Sequence, residues 1–307
     1  ASLIKNGELV AFPTETVYGL GADGLNPEAT KKIYQAKGRP SDNPLILHIS
    51  NKIMLYNLSD NVNYEAKKLM ELCWPGPLTM ILKKSSVVPD TVSAGLDTVA
   101  IRMPKDKIAL KLIELSNTPI AAPSANISGR PSPTRASDVL ADMSGRIPMI
   151  LDGGETDIGI ESTVIDLSEN IPTILRPGYY TYEYIRTILD NVKLDDALID
   201  DKSIPKSPGQ KYKHYAPKAK VEVYVGDKAY EKLLERASEY KNQGLKVGIL
   251  AFEESIEKFN EYYNLSLGSK KDLTVMSHVL FTNLRKMDAN AVDIIISEGG
   301  GGIKFCK

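Results

Sequence analysis

Residues 12–24, FPTETVYGLGADG, set Gly19, Gly21 and Gly24 in the spacing G-x-G-x-x-G, between a short apolar run (ELVAF, 8–12) and a helical pattern (PEATKKIYQAK, 27–37). A dinucleotide-binding turn needs that spacing, a helix N-terminus aimed at a pyrophosphate, and an acidic residue about 20 positions on for the ribose. Asp42 meets the last condition by count, but it lies in the loop GRPSDNP rather than at a strand end. Pro13 stands where the strand of a dinucleotide fold would still be running, and proline cannot donate to a central ladder. The stretch therefore reads as a strand ending at Phe12, a loop that presents the hydroxyls of Thr14 and Thr16, and glycines that let the chain turn tightly.

Outward from this point, the chain to about Asp166 alternates apolar runs with amphipathic helical patterns. LILHI, LTMIL, VAIRM, PIAAP, MILDGG and STVIDL read as short runs of strand type; NYEAKKLMELCW, KIALKLIELS and SDVLADMSG carry helical periodicity. Strands interleaved with such helices predict an α/β or α+β unit with a largely buried sheet. LTMIL and VAIRM, parted by a loop rich in Pro, Ser and Gly, are expected to pair antiparallel, which makes the sheet mixed.

Residues 202–220, KSIPKSPGQKYKHYAPKAK, hold three Pro, one Gly and six Lys with no acidic residue, a linker by composition. Two readings stand: a solvated tether, or a segment whose Lys, Tyr and His side chains fold back over an anionic ligand. After it, VEVYVG, KVGILAF, NLSLGS and DIIISEG alternate with the helical patterns DKAYEKLLERASEYKNQG, SIEKFNEYY and DLTVMSHVLFTNLRKMDANAV, which predicts a small Rossmann-like parallel sheet. Its early turns, VGDK and AFEES, lack the glycine fingerprint, so cofactor binding there is unsupported. The expected division is 1–201, a linker or lid over 202–220, and a C-terminal domain from 221 to 307. Chain length favours two domains. The start at Ala1, within what reads as the end of a helix, and the closing GGGGIKFCK leave completeness at both ends open.

Composition narrows the chemistry. A formal net charge of -1 among 307 residues gives no global attraction to phosphate backbones, so RNA binding is not expected as the main task. Cys73 and Cys306, and His48, His214 and His278, are too few and too scattered for a disulfide framework or a zinc centre. No apolar run approaches the ~20 residues that span a bilayer, and a cytoplasmic protein is expected.

What remains is an inventory of hydroxyls and cations in loops at strand ends, where α/β sheets collect ligands. Lys37 and Arg39 stand beside a turn, and His48 ends the next strand. Thr98 and Arg102 stand at the two ends of one strand; Ser124, Asn126 and Ser132 share a loop of small residues; Ser162 and Thr163 precede a strand and Arg176 ends another. Each has an ordinary structural reading, a solvated charge, a core histidine or a turn residue. No Ser-His-Asp order, acid pair, cysteine nucleophile or Walker loop accompanies them. Together they suit adenylyl or phosphoryl transfer, in which positioning and charge neutralisation carry most of the catalysis.

In their order, FPTETVYGLG, KGRPSDNPL, PGPLT, TVAIRMP, APSANISGRPSPT, ESTVID and LRPG resemble the Sua5/YrdC/YciO family over nearly all of residues 7–220, and the linker SPGQKYKHYAPKA with the domain after it resembles the longer, Sua5-type members. The resemblance implies a twisted mixed sheet with a concave basic cavity, and a nucleotidyltransferase that makes threonylcarbamoyl-adenylate and pyrophosphate from L-threonine, bicarbonate or CO2, and ATP. It further implies Mg²⁺ arriving with ATP and no metal site of the protein's own. Downstream threonylcarbamoyltransferase proteins would carry the group to adenosine 37 of tRNA, with any tRNA binding by this chain weak. By the same resemblance Thr16, His48, Arg102, Ala122 and Ser162 form the threonine pocket, Arg102 taking the carboxylate bidentately. Arg39, Asn43, Thr98, Ser124, Asn126, Ser132, Arg176 and Tyr215 contact ATP, Tyr215 as a lid residue, and Lys37 with Arg39 is catalytic. The alternatives are a carbamoyl-adenylate-forming carbamoyltransferase, whose acylphosphatase and zinc-finger modules this chain lacks, and an RNA-binding or ribosome-maturation module.

Overall fold

The computed structural model describes residues 1–41, 43–198 and 216–300, and the chain divides into two compact units, 1–214 and 215–307. The first is built on a nine-stranded mixed sheet. Its strands are β1 (Val10–Phe12), β2 (Gly19–Asp23), β3 (Ile46–His48), β4 (Leu78–Lys83), β5 (Thr98–Arg102), β6 (Ile120–Ala121), β7 (Thr163–Asp166), β8 (Thr173–Arg176) and β9 (Lys193–Leu194). Across the sheet they lie in the order β1-β2-β6-β3-β5-β4-β7-β8-β9. β4 and β5, the LTMIL and VAIRM runs, pair antiparallel as expected, while β3 with β5 and β4 with β7 are parallel. The MILDGG run forms no strand; it meets β1 through one isolated bridge, Ala11 to Ile150.

Local chemistry sets the helix ends. In α2 (Pro27–Lys37), Asn26 accepts from the N–H groups of Glu28 and Ala29, Pro27 occupies the first turn, and Gly38 closes the helix at φ 65°. Asn63 caps α4 (Tyr64–Cys73) and Asp106 caps α6 (Lys107–Ser116) in the same way. The remaining helices of this unit are α1 (Ser2–Lys5), α3 (Lys52–Leu58), α5 (Asp90–Ser93), α7 (Ala136–Met143) and α8 (Tyr182–Ile188).

Strand alternation gives the sheet two faces. One carries Leu20, Leu47, Met80, Val99, Ile101, Ile165 and Ile174 into the main core, closed by α2, α3, α4, α7 and α8. On the opposite face, at one end, Val10, Phe12, Ile120 and Ala122 pack against α1 and α6. Farther along it lies a small separate apolar patch, Ile46, Ile81, Ala100, Val164 and Leu175, against which no further apolar side chain packs among the described residues. That patch is the floor of the candidate site.

The opening stretch needs one correction. Gly19 and Gly21 do not turn the chain; they lie inside β2, antiparallel to β1. A Cβ at Gly21 would come within 2.7 Å of both the Phe12 ring and Ile120, so glycine is there to seat the buried Phe12. Sequence spacing alone does not separate a glycine needed for dihedral freedom from one needed for lack of volume.

The second unit is a four-stranded parallel sheet, as its alternating pattern predicts, ordered β10 (Lys220–Tyr224), β13 (Ile294–Glu298), β11 (Val247–Ala251), β12 (Tyr263–Ser266). Leu233 and Ala237 of α9 (Ala229–Asn242) pack on Ile249, Ala251, Ile294 and Ile296. Gly248, on the alternate parity, makes room for Met287 of α10 (Leu273–Ala289). SIEKFNEYY is not a helix: only Ile256–Phe259 forms a 3-10 turn, because Tyr263 already belongs to β12, opposite Gly248. Among the described residues no helix is long and apolar enough to cross a membrane.

Candidate active site

The parallel register of β3 and β5 sets His48 beside Arg102, and the antiparallel register of β4 sets Thr79 on its other side. Arg102 points to the same face as Ala100, where it is only 4% exposed. A buried cation needs partners. Nη2 forms an ion pair with Glu15 at 2.7 Å, Nη1 donates to Thr16 Oγ1 at 2.9 Å, and Nε donates to the Gly76 carbonyl at 3.3 Å. Thr14 gives its proton to the Val17 carbonyl (2.7 Å), so the 2.8 Å contact between the two hydroxyls runs from Thr16 to Thr14. A directed chain thus leads from the guanidinium into the loop, and Thr14 and Thr16 are buried inside rather than displayed. On the far side Thr79 Oγ1 and Ser162 Oγ lie 2.7 Å apart.

These contacts set the protonation states. Burial alone would raise the Glu15 carboxyl, but the Arg102 charge, its hydrogen bonding and the Lys105 N–H outweigh burial and hold it below its ordinary 4.5. Burial, with Arg102 next in weight, pushes the His48 ring from 6.5 down to about 3; the Glu15 charge and the Ile46 and Ile120 carbonyls oppose this without reversing it. His48 is therefore a neutral imidazole, edge-on to the Phe12 ring at 6.0 Å.

The second group of side chains surrounds the loop after β6. Lys37, the last residue of α2, is 2% exposed, and its ammonium donates to the carbonyl oxygens of Ser124 and Asn126 and to Asn126 Oδ1. Asn126 spends its own amide on the carbonyls of Ile127 and Arg130. Lys37 is thus the brace of the Ser124–Asn126 loop. Arg39 lies over the Tyr34 ring, 5.6 Å from its centroid, and donates to the Asn43 carbonyl. The buried Asn43 Nδ2 has no hydrogen-bond partner. Ser132 donates to the Glu161 carboxylate. Arg176 holds Ser162 by its carbonyl (3.0 Å and 3.1 Å) and its hydroxyl (3.0 Å). That grip depends on Gly178, where a Cβ would lie 2.4 Å from Thr163 N and 2.6 Å from the Glu161 carbonyl.

Most of the residues expected from the sequence therefore gather at one region of one sheet face. Ala122 adds a buried methyl and donates its N–H to the Ile46 carbonyl. Thr98 is set apart, at the opposite end of β5 from Arg102 and about 13 Å away at the usual strand rise. Tyr215 and most of the 202–220 linker lie outside the described residues. Sequence reasoning missed Thr79 and two carboxylates, Glu15 and Glu161. Both acids stand inside the quoted runs FPTETVYGLG and ESTVID, beside the hydroxyls that were singled out, but only the fold shows which cations they meet.

Residues 2–178 match a family model, Sua5_yciO_yrdC, described as telomere recombination. The chain belongs to the Sua5/YrdC/YciO family. Residues 180–303 match the Sua5_C model, described as the C-terminal domain of threonylcarbamoyl-AMP synthase, so this member has the longer, Sua5-type layout. It is 50% identical over 303 residues to threonylcarbamoyl-AMP synthase of Pyrococcus abyssi, covering 97% of this chain and 87% of that one. It is 48% identical over 299 residues to the Bacillus subtilis protein of the same name, covering 97% and 86%. The crystal structure of P. abyssi Sua5 complexed with L-threonine superposes with a TM-score of 0.92 at 48% identity, over 97% of this chain and 87% of the other. E. coli YciO matches 58% of this chain and 86% of its own, with a TM-score of 0.52 at 25% identity.

Proposed function

We propose that this Sua5-type chain is a threonylcarbamoyl-AMP synthase, a nucleotidyltransferase that joins L-threonine, bicarbonate or CO2, and ATP into threonylcarbamoyl-adenylate with release of pyrophosphate. The relatives that carry this name support the reading. The observation that carries it is the juxtaposition, on one sheet face, of buried hydroxyls around Arg102 with Arg176 on Ser162, and of Ser132 on the neighbouring Glu161.

In this reading Arg102 binds the threonine carboxylate, held in orientation by Glu15 and Thr16. Neutral His48 and the Ser162 hydroxyl face the rest of the amino acid without adding a competing charge, and the Ala122 methyl limits side-chain size. The unprotonated amine captures CO2 as a carbamate, whose oxygen attacks the α-phosphorus of ATP, and pyrophosphate leaves with its Mg²⁺. Arg39 and Arg176 offset phosphate charge, and Asn43 Nδ2 is a donor ready for the nucleotide. Thr98 would meet the nucleotide from the far rim. Lys37 and Asn126 hold the Ser124 loop in place, so Asn126 acts through that loop. Downstream transferase proteins then pass the threonylcarbamoyl group to tRNA.

The deciding experiment is mass detection of the adenylate formed from ATP-Mg, bicarbonate and L-threonine, with pyrophosphate release followed in parallel. Release should require threonine and bicarbonate together. Release indifferent to the amino acid overturns the threonine assignment.

A further inference from the structure

Resting on the synthase reading, we infer that Glu161 is the base that takes a proton from the threonine ammonium so that the amine can capture CO2. Glu161 joins the two halves of the site. Its carboxylate accepts from Ser132 on the nucleotide side. Its chain neighbour Ser162 shares a hydrogen bond with Thr79, beside Arg102, and is gripped by Arg176. The segment before it is laced to the Arg102 loop, Ile158 N–H donating to the Glu15 carbonyl and Gly159 N–H to the Thr16 carbonyl. Glu15 is committed to Arg102 and the Lys105 N–H, whereas among the described residues Glu161 accepts from the Ser132 hydroxyl and its own backbone N–H.

The protonation balance supports the role. Burial pushes the Glu161 carboxyl up from 4.5, and Arg176, the Ser132 hydrogen bond and Lys37 only partly offset this, which makes it a better proton acceptor than an exposed carboxylate. Among the described residues, the charged and polar groups that face it are Arg176 from β8, Lys37 from the end of α2, Ser132 from the loop after β6 and its own backbone N–H. In the step, an ammonium N–H bond breaks toward a Glu161 oxygen and frees the nitrogen lone pair. That pair forms the N–C bond to CO2 while one C=O π pair moves onto oxygen. A second proton leaves the nitrogen to solvent, giving the carbamate, and the proton on Glu161 returns to solvent after pyrophosphate departs.

The test uses the full chain with L-threonine, bicarbonate and ATP-Mg. Glu161→Gln keeps an acceptor for Ser132 but no base. At pH 7 its rate of adenylate formation should fall by ~100-fold or more, with the affinities for threonine and ATP kept within ~3-fold of wild type. Raising the pH to about 9.5, where free amine is abundant, should shrink the deficit to ~10-fold or less. Pyrophosphorolysis of preformed adenylate to ATP needs no amine deprotonation and should stay within ~3-fold of wild type. Glu161→Asp, which retains a carboxylate, should exceed the Gln variant by ~10-fold at pH 7. A deficit equal in both directions and at every pH, or a Gln variant as active as wild type, overturns the base assignment alone. A wild type that forms no adenylate overturns the synthase reading and this one with it.

Discussion

Arg102 shows how one buried charge organises its surroundings. Removing it as Arg102→Ala strands the Glu15 carboxylate, and breaking a buried pair in this way costs ~3–5 kcal/mol. The double variant Arg102→Ala with Glu15→Gln should recover part of that loss, read from urea midpoints, because no lone charge is then left inside. In activity, Arg102→Ala should raise the threonine requirement more than the ATP requirement; equal changes in both would remove Arg102 from the carboxylate. His48 supplies a pH signature. Its folded pKa of about 3 lies below the ordinary 6.5, so the unfolded chain binds the extra proton first. The associated stability is complete above pH 6.5 and drains away by up to about 1.4 kcal/mol per pH unit as the pH falls toward 3. Glu15 acts in the same direction in a lower window: its carboxyl is depressed, so its contribution is full above 4.5 and is lost as the pH falls through its folded value. His48→Gln should therefore flatten the stability profile between pH 6 and about 4.5, measured by urea unfolding at each pH, while leaving the steeper loss at lower pH. At this scale the sequence disclosed the cations and hydroxyls, because they recur together in loops at strand ends, where α/β sheets collect ligands. It did not disclose that Glu15 and Glu161 partner them, because Glu15 and Arg102 are brought together only by the closure of the sheet.

At the scale of elements, helices α2 and α6 were legible to the residue, because Asn26, Gly38, Asp106 and Asn117 end them by local hydrogen bonding and by left-handed backbone at their C-termini. The antiparallel pairing of β4 and β5 was legible for a similar reason, two apolar runs parted by a segment rich in Pro, Ser and Gly. The glycines of β2 were misread because their cause is tertiary: they lie under Phe12. Gly21→Ala should accordingly cost ~1–3 kcal/mol through overpacking, and Phe12→Leu in the same chain should recover part of it. A double-mutant cycle on unfolding free energy checks this, and strictly additive losses would mean that the Phe12 contact is not the reason for the glycine. Gly178→Ala belongs with it, since the added methyl presses on the Glu161–Thr163 segment; threonine binding should weaken together with stability, seen by calorimetry on the folded variant.

At the scale of the molecule, unit 215–307 has a parallel sheet and a core of its own, with Leu233, Ile249, Phe259 and Ile296 fully buried. A fragment of residues 216–307 should therefore unfold cooperatively in urea with a mixed α/β circular dichroism spectrum; a featureless, non-cooperative profile would show that its core depends on the rest of the chain. By itself, the sequence determined the kind of layers, the alternation that gives each strand a buried face, the helix boundaries and the stock of cations and hydroxyls, because these depend on periodicity and on contacts a few residues apart. Only the tertiary structure decided which face of the large sheet carries Ile46, Ile81, Ala100, Val164 and Leu175, and which acids meet which cations there. Those outcomes rest on strand order and register, which bring Glu15, His48, Arg102, Ser132 and Glu161 together from distant parts of the chain.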